Sequence, residues 1–193
     1  THSFADVVAG DVGVADIVTP CGNGVDLLAG GSGFARLAGL RSYELEMIGR
    51  GLQQIEPGYE YLVVDSAAGL SRQTVAFAAA CDVTVLVTTH DITAMTDAYA
   101  AAKAIIARDS AVDLSLVVNM VGCEDEGVAV HKRIDGVSRR HLRRSIPLAG
   151  VVPFDFSVVA AVKRRRPLSL VASETPAAIA IRRLAAGLQA KPE

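Results

Sequence analysis

Short apolar runs that alternate with longer amphipathic segments constrain the fold of this chain more than any other feature. Three of these runs are continuous and rich in β-branched residues: YLVVD (Tyr61–Asp65), VTVLVTT (Val83–Thr89) and LSLVVN (Leu114–Asn119). Strands that are buried on both faces of a parallel sheet have this composition. VDLLA (Val25–Ala29) and LAGVV (Leu148–Val152) are weaker strand candidates.

Helical segments are predicted between the runs. Ser71 is suited to cap one of them, and Thr175 followed by Pro176 is suited to begin the last. This alternation predicts a doubly wound, mostly parallel α/β sheet with helices on both faces, and residues 1–193 are expected to form a single domain. The predicted helices are Phe34–Ile55, Arg72–Ala80, Thr93–Arg108, Glu124–Arg144 and Pro176–Leu188.

Charge is divided unevenly along the chain. Residues 1–96 hold 4 Lys/Arg and 11 Asp/Glu, whereas residues 97–193 hold 15 Lys/Arg and 10 Asp/Glu. The basic second half is therefore suited to an anionic partner. The apolar runs are shorter than the roughly 18 residues of a membrane span, and the three cysteines are widely separated, so we expect a cytoplasmic protein.

The glycine-rich stretch LAGGSGFARL (Leu28–Leu37) resembles a phosphate-binding loop at first sight. It fails the Walker A pattern, because the printed sequence contains no Gly-Lys dipeptide. It fails the dinucleotide fingerprint at Arg36 and the nucleophile elbow at Phe34, where glycine is required in each case. We therefore expect a tight strand-to-helix turn.

Polar residues follow the predicted strands at the edge where ligands bind in such sheets. Asp65 followed by Gly69 could hold Mg²⁺ and meet a terminal phosphate, or Asp65 could cap the next turn. Asn119 could read a base edge through its amide, or satisfy loop backbone. The residues of this predicted rim are Asp65–Gly69, Thr88–Asp91, Asn119–Met120 and Pro153–Asp155.

The sequence also contains one candidate triad and two basic segments. A hydrolytic triad of Ser66, His90 and Asp91 is disfavoured, because Ser66 lacks an elbow and adjacent His and Asp side chains rarely orient one another. The basic segments His131–Arg144 and Lys163–Pro167 are either solvated helix faces or contacts for phosphate, DNA or acidic lipid headgroups. Aromatic residues do not interleave with these charges, which argues against base stacking.

Read in order, four segments resemble the MinD/ParA ATPases, and in particular the flagellar-number regulators of the FlhG (FleN) type. The SFADVVAG and LLAGGSGFARLAGL stretches are similar to segments that follow the second strand of this family. The resemblance therefore extends over essentially the whole chain and implies a P-loop NTPase fold of the SIMIBI type. The four segments are YEYLVVDSAAGLS, DVTVLVTTHDITAMTDAYAAAKAI, LSLVVNMV and IPLAGVVPFDFSVVAAVKRRRPL.

The resemblance implies ATP and Mg²⁺ as cofactors and assigns roles to individual residues. Asp65 would be the Walker B-like aspartate that acts on Mg²⁺ through water, and Gly69 would be the switch II glycine near the γ-phosphate. Asn119 would contact adenine, and the turn Pro153, Phe154, Asp155 would line the base pocket. The GGSG turn would then be a structural loop of the family.

The chain also departs from the family pattern. The family's lysine-bearing Walker A loop and switch I aspartate precede the point at which this sequence begins, so we expect the first βαβ unit to be missing and residues 1–193 not to hydrolyse ATP by themselves. Neighbouring strands would then expose unpaired edges and apolar faces, which predicts a marginal fold or closure by another chain. His90-Asp91 replace the usual Pro-Glu, and Glu174–Gln189 is expected to pack on the sheet instead of binding a membrane.

The expected parent protein is an ATP-dependent, dimerising switch that regulates flagellar number or placement. Its expected partners are a second copy, a flagellar assembly or GTPase protein and an anionic membrane surface at the inner face of the membrane. Two alternatives stay open. A ParA-like DNA-partitioning ATPase would use the basic segments on DNA, and a non-catalytic interaction module would bind its partner without regard to ATP.

Overall fold

The computed structural model describes residues 2–30, 42–66 and 68–189. The chain divides into two compact units, the first made of residues up to 67 with 71–73 and the second of residues 68–70 and 74 onward. The GGSG turn and the predicted helix start at Phe34 lie outside the described residues.

The first unit contains two helices and a two-stranded antiparallel sheet in its described part. 3₁₀ turns over Val14–Ile17 and Glu56–Gly58 precede β1 and follow α2. Its regular elements are α1 (Phe4–Ala9), β1 (Val18–Gly22), β2 (Val25–Leu28) and α2 (Ser42–Ile55).

The predicted strand Val25–Ala29 forms as β2, but it pairs antiparallel with β1 in a hairpin. The turn holds Asn23 at φ 54° and Gly24 at φ 74°, the positive angles that a type I′ turn requires. An Asn-Gly pair is the strongest local hairpin signal in a sequence, so this hairpin could have been predicted. The interpretation of Val25–Ala29 as part of a parallel sheet is wrong for this reason.

A small apolar core holds the first unit together. Val7, Val14 and Ile17 are buried, and Leu52 of α2 packs against them. Helix α2 approaches Val14 through Gly51, where an added Cβ would lie 2.2 Å from a Val14 methyl carbon. A side chain at this helical position is therefore excluded unless Val14 moves.

The prediction of a buried strand over Tyr61–Asp65 is wrong in this structure. These residues are exposed and form no strand; Val63 is 86% exposed and Tyr61 59%. An apolar β-branched run becomes a strand when a neighbour pairs its N–H and C=O groups, and composition cannot say whether that neighbour is present. Tyr61 and Val63 therefore expose apolar surface in this segment.

The second unit contains three parallel strands and six helices in its described part. Strand order in the sheet is β3-β4-β5, and both pairs are parallel. The elements are α3 (Arg72–Ala80), β3 (Val83–Thr88), α4 (Ile92–Arg108), β4 (Asp113–Val121), α5 (Glu124–Leu142), β5 (Leu148–Pro153), α6 (Phe156–Lys163), α7 (Leu168–Val171) and α8 (Pro176–Gln189).

Helices cover both faces of this sheet. On one face Leu114, Leu116 and Val118 are buried in a core that includes residues of α3, α4 and α5. On the other face Val117 and Val152 pack with residues of α6, α7 and α8. The parallel strands and two-sided helical cover confirm the predicted α/β fold class.

A polar clamp ties α5 to the start of β5. The carboxylate of Asp135 accepts from Ile146 N–H at 2.9 Å, Ser145 Oγ at 2.8 Å and Arg139 Nε at 2.6 Å. Burial raises the pKa of Asp135, but these hydrogen bonds outweigh it and the net pKa lies below the ordinary value. Arg144 extends the clamp by donating to the backbone oxygens of Ser110 and Val112.

None of the helices in the described ranges combines the length and the apolar character needed to cross a membrane.

Candidate functional site

The carboxyl ends of β3, β4 and β5 lie side by side in the second unit. Thr88 pairs with Val118, and Asn119 pairs with Val152. Phe154 N–H donates to the oxygen of Val121 at 2.8 Å. The sheet therefore brings three of the four predicted rim segments to one edge, as expected for parallel strands.

The end of β4 carries an unusual backbone conformation. Met120 has φ 60°, in the left-handed region, although it is not glycine. The side-chain oxygen of Asn119 accepts from Met120 N–H at 2.9 Å. This contact leaves the Asn119 amide NH₂ available as a donor toward a ligand. A strained residue at a strand end is a common feature of ligand sites, and no sequence pattern identified Met120 as strained.

Asp155 joins the rim to two helices. Its Oδ1 accepts from Ser157 N–H at 2.7 Å and caps α6, while its Oδ2 accepts from Ala177 N–H at 3.3 Å at the start of α8. The Ser157 hydrogen bond is the main cause that holds the pKa of Asp155 below its ordinary value. The Asp155 carboxylate therefore has structural partners, whereas Phe154 is 47% exposed beside it.

The segment after β3 is polar and open. Thr89 Oγ1 donates to the Asp91 carboxylate at 3.1 Å, and the exposed residue His90 lies between them in sequence. Ser66 belongs to the first unit. In the described residues the printed partner of the Asp91 carboxylate is Thr89 Oγ1, and the disfavoured Ser66–His90–Asp91 triad stays an untested alternative.

Asp65 and Gly69 lie outside the three-stranded sheet. Asp65 is exposed at the end of the segment that does not form a strand, and it belongs to the first unit. Gly69 has φ 109°, and nothing lies within 4 Å of an added Cβ. Glycine is thus required at position 69 for its backbone angle.

Residues 2–30, 42–66 and 68–189 contain no group of three or more His, Cys, Asp or Glu side chains that could hold a metal ion. Mg²⁺ is commonly held by one or two carboxylates together with substrate phosphates. The exposed Asp65 carboxylate fits that mode of binding.

The basic segment of α5 contains both structural and free cations. Arg139 and Arg144 donate to protein oxygens, whereas Arg133, Arg140 and Arg143 are exposed. The exposed arginines of this segment are compatible with either alternative, a solvated face or an anion contact, whereas Arg139 and Arg144 have structural partners.

Helix α6 presents an apolar row that leads into a basic cluster. Phe156 is 79% exposed, Val159 43% and Val162 70%, and Lys163 with Arg164–Arg166 follows directly. No Asp or Glu occurs from residue 156 to 173. We call Phe156, Val159, Val162 and Lys163–Arg166 the α6 surface.

Two cations occupy backbone positions that favour glycine. Arg143 follows α5 with φ 54°, and Arg165 follows α6 with φ 51°. Arg165 N–H donates to Val162 O and Arg166 N–H to Ala161 O, the two bonds of a helix end in which glycine is the usual left-handed residue. Arginine at these positions costs backbone energy, which is consistent with a role for its charge.

Comparison with known proteins identifies relatives along the chain. Residues 29–187 match the family described as "Cellulose biosynthesis protein BcsQ". The antiactivator FleN of Pseudomonas aeruginosa is 26% identical over 191 residues, which cover 99% of this chain and 68% of FleN. The flagellum site-determining protein YlxH of Helicobacter pylori is 41% identical over 83 residues, which cover 43% of this chain and 28% of YlxH.

The fold is shared with solved MinD structures. The septum site-determining protein MinD of Pyrococcus horikoshii, in complex with Mg-ADP, superposes with a TM-score of 0.71 at 19% identity over 100% of this chain and 77% of MinD. Together with the α/β sheet and its polar edge, these matches confirm the resemblance drawn from the sequence. The chain belongs to the BcsQ family of MinD/ParA-type ATPases and has flagellar regulators of the FlhG (FleN) type among its relatives.

Proposed function

We propose that this protein is a nucleotide-dependent switch of the FlhG type that regulates the number or placement of flagella. The observation that carries the proposal is the end of β4, where Asn119 holds the strained Met120 at the polar edge of a MinD-like sheet. Similarity to FleN over 99% of the chain supports a flagellar role rather than the cellulose role that the BcsQ name suggests.

The base of ATP is proposed to bind at this edge. The Asn119 amide would donate to the adenine ring while its oxygen holds Met120 N–H. Pro153 and the exposed ring of Phe154 would line the pocket. Asp155 would shape the turn, because its carboxylate already accepts from two helix N-termini.

The phosphates and Mg²⁺ are proposed to meet Asp65 and Gly69. Mg²⁺ would arrive with the nucleotide and bind Asp65 through water, as a lone exposed carboxylate allows. The metal would neutralise charge on the phosphates. Gly69 would present its backbone N–H to the terminal phosphate, and a side chain at this φ would disturb that loop.

Binding of ATP is proposed to favour a homodimer that recruits a flagellar assembly or GTPase partner. The α6 surface is a suitable contact for such a partner, because it combines exposed apolar side chains with four exposed cations. An anionic membrane would be contacted by the same cations. A ParA-like use of Arg143 and Arg165 on DNA is the second candidate, supported by their placement at costly backbone angles.

Calorimetric titration with ATP and ADP, each with Mg²⁺, tests the nucleotide site. Asn119→Asp keeps the acceptor for Met120 N–H but removes the NH₂ donor, so we expect it to abolish or strongly weaken binding. Asn23→Asp, in the hairpin turn of the first unit, is the matched control and should bind as the unaltered chain does.

Three results would contradict parts of the proposal. Equal nucleotide affinity of Asn119→Asp and the unaltered chain would exclude base recognition by this amide. Partner binding that is insensitive to ATP would favour the interaction module. Affinity for DNA that falls steeply with salt, with unchanged flagellar number in a deletion strain, would favour the partitioning ATPase.

A further inference from the structure

A cavity lies in the second unit, near the amino ends of β4 and β5. Its volume is about 220 Å³. The last turns of α8 cover one side of it, and the strand starts form the other. The lining residues are Ser115, Pro147, Leu148, Ala149, Leu184, Gly187 and Leu188.

The cavity contains one buried hydroxyl without a partner. Ser115 is 2% exposed, and its Oγ is the buried side-chain polar atom that lacks a hydrogen bond within the described ranges. Buried polar side chains nearly always have a hydrogen-bond partner, so this hydroxyl needs one that the protein does not supply. The cavity that it lines is the space from which such a partner would come.

Local backbone features account for the free space. Leu116 pairs with Leu148 and Val117 with Gly150, so Ala149 is an extra residue in β5. Gly150 faces α8, and an added Cβ would lie at an ordinary contact distance of 3.7 Å from Leu184. Nothing lies within 4 Å of a Cβ added at Gly187. The extra residue Ala149 and Gly187, which has no side chain, both border the free volume next to Ser115.

We propose that this cavity binds a small, uncharged molecule with one apolar ring and one hydrogen-bonding group, such as a simple phenol. A cavity of roughly 150 Å³ with apolar walls is known to hold benzene, so 220 Å³ accommodates a ring with a short substituent. The lining has no charged side chain, and a carboxylate or ammonium group would therefore lose its hydration without compensation. The ligand hydroxyl pairs with Ser115 Oγ.

This site differs from the proposed nucleotide edge. Ser115 is near the start of β4, whereas Asn119 is near its carboxyl end. The ligand contacts α8 through Leu184 and Leu188 and stabilises the packing of that helix on β5. Binding is therefore expected with or without ATP.

Titration with p-cresol, toluene and benzoate, followed by methyl NMR of the leucines and alanines, tests the proposal. We expect saturable shifts at Leu184 and Ala149 with p-cresol and toluene, and none with benzoate. Ser115→Ala should weaken the binding of p-cresol about fivefold, because one hydrogen bond is lost, and should leave the affinity for toluene unchanged. Ser169→Ala, an exposed serine in α7, is the control.

A plug variant makes the test independent of hydrogen bonding. Gly187→Leu adds a large side chain at a residue that lines the cavity and should abolish binding of both ring compounds. Absence of saturable shifts with p-cresol and toluene in the folded chain would mean that water fills the cavity, and would overturn the proposal. If Ser115→Ala lowered the affinities for p-cresol and toluene equally, the proposed role of the Ser115 hydroxyl would be overturned.

Discussion

The Asp155 carboxylate and the Ala177 N–H, 22 positions apart in sequence, are joined by a hydrogen bond of 3.3 Å. Because the same carboxylate also accepts from Ser157 N–H, one side chain caps α6 and the start of α8 together. The rim turn after β5 is thus fixed to the helix that covers the opposite face of the sheet from α4 and α5. This arrangement makes Asp155 a structural residue at the edge of the proposed nucleotide site.

Replacing Asp155 should reduce stability in a pH-dependent way. Asp155→Ala removes acceptors from two helix N-termini, and we expect the melting temperature to fall by about 2–4 °C. The folded pKa of Asp155 lies below the ordinary 3.8, so its stabilisation is complete above that value and is lost as pH falls through the folded pKa. Thermal melts of both proteins at pH 7 and pH 2.5 measure this.

The difference between the two proteins should shrink at pH 2.5. Asp97→Asn, on the exposed side of α4, serves as the control and should leave the melting temperature nearly unchanged. A difference at pH 2.5 as large as at pH 7 would contradict the role of the ionised carboxylate.

Loss of the Asp135 clamp should destabilise the second unit. Asp135→Ala leaves Ile146 N–H without its acceptor in a buried position and separates Arg139 from its partner, so we expect a loss of about 1–3 kcal/mol in the free energy of unfolding. Ser145→Ala removes the hydrogen bond that Ser145 Oγ donates to Asp135 and the one that it accepts from Arg139, but leaves the Asp135 carboxylate in place, and it should cost less. Urea denaturation measures the free energy of unfolding of both variants, provided that its dependence on urea concentration is unchanged. If both substitutions cost the same free energy, the Asp135 carboxylate is not the centre of the clamp.

A pair of glycines on α5 tests how closely this helix packs on the sheet. A Cβ at Gly127 would lie 2.5 Å from a Val151 methyl carbon, so Gly127→Ala should destabilise the protein by about 1–3 kcal/mol. Gly136, on the same helix, has nothing within 4 Å of an added Cβ. Gly136→Ala should therefore stabilise it by up to about 1 kcal/mol. If chemical denaturation showed that Gly127→Ala and Gly136→Ala change the free energy of unfolding in the same direction, the close packing of α5 on Val151 would be contradicted.

The arginine at the end of α6 should be less stabilising than glycine. Arg165→Gly relieves the strain of a left-handed backbone angle, and we expect it to raise the free energy of unfolding by about 1 kcal/mol. It should also weaken the binding of anionic partners, because a cation is lost. Arg164→Gln removes a charge from a residue with an ordinary helical backbone conformation, so it should weaken the binding of anionic partners without adding stability. Chemical denaturation and binding to anionic vesicles in varied salt separate the two effects. A less stable Arg165→Gly protein would contradict the strain.

Much of the second unit could be predicted from local patterns. Three of the five apolar runs form β3, β4 and β5, because continuous β-branched residues suit strands that are covered on both faces. Helix α3 has the predicted bounds, and α8 begins at the predicted Pro176. The polar residues that follow these strands, such as Asn119, share one edge because parallel strands end on the same side.

Other features depend on distant neighbours. The hairpin around Asn23 could have been predicted from its Asn-Gly pair. The exposure of Tyr61–Asp65 could not, because the apolar residues of this segment suit a buried strand equally well. The second hydrogen bond of Asp155 requires α8 to return to the rim. Ser115 Oγ has no hydrogen-bond partner in the described part of the chain, and the cavity beside it is formed by residues of β5 and α8 that lie far from Ser115 in sequence.

By itself, the sequence determined the fold class, the family and the order of the strands and helices in the second unit, because these depend on local composition, spacing and motif order. The tertiary structure decided which apolar run has a strand partner, which cations are free and which hydroxyl is left unpaired. The reason is that hydrogen bonding and burial are properties of pairs of segments, and pairs form when the chain brings distant residues into contact.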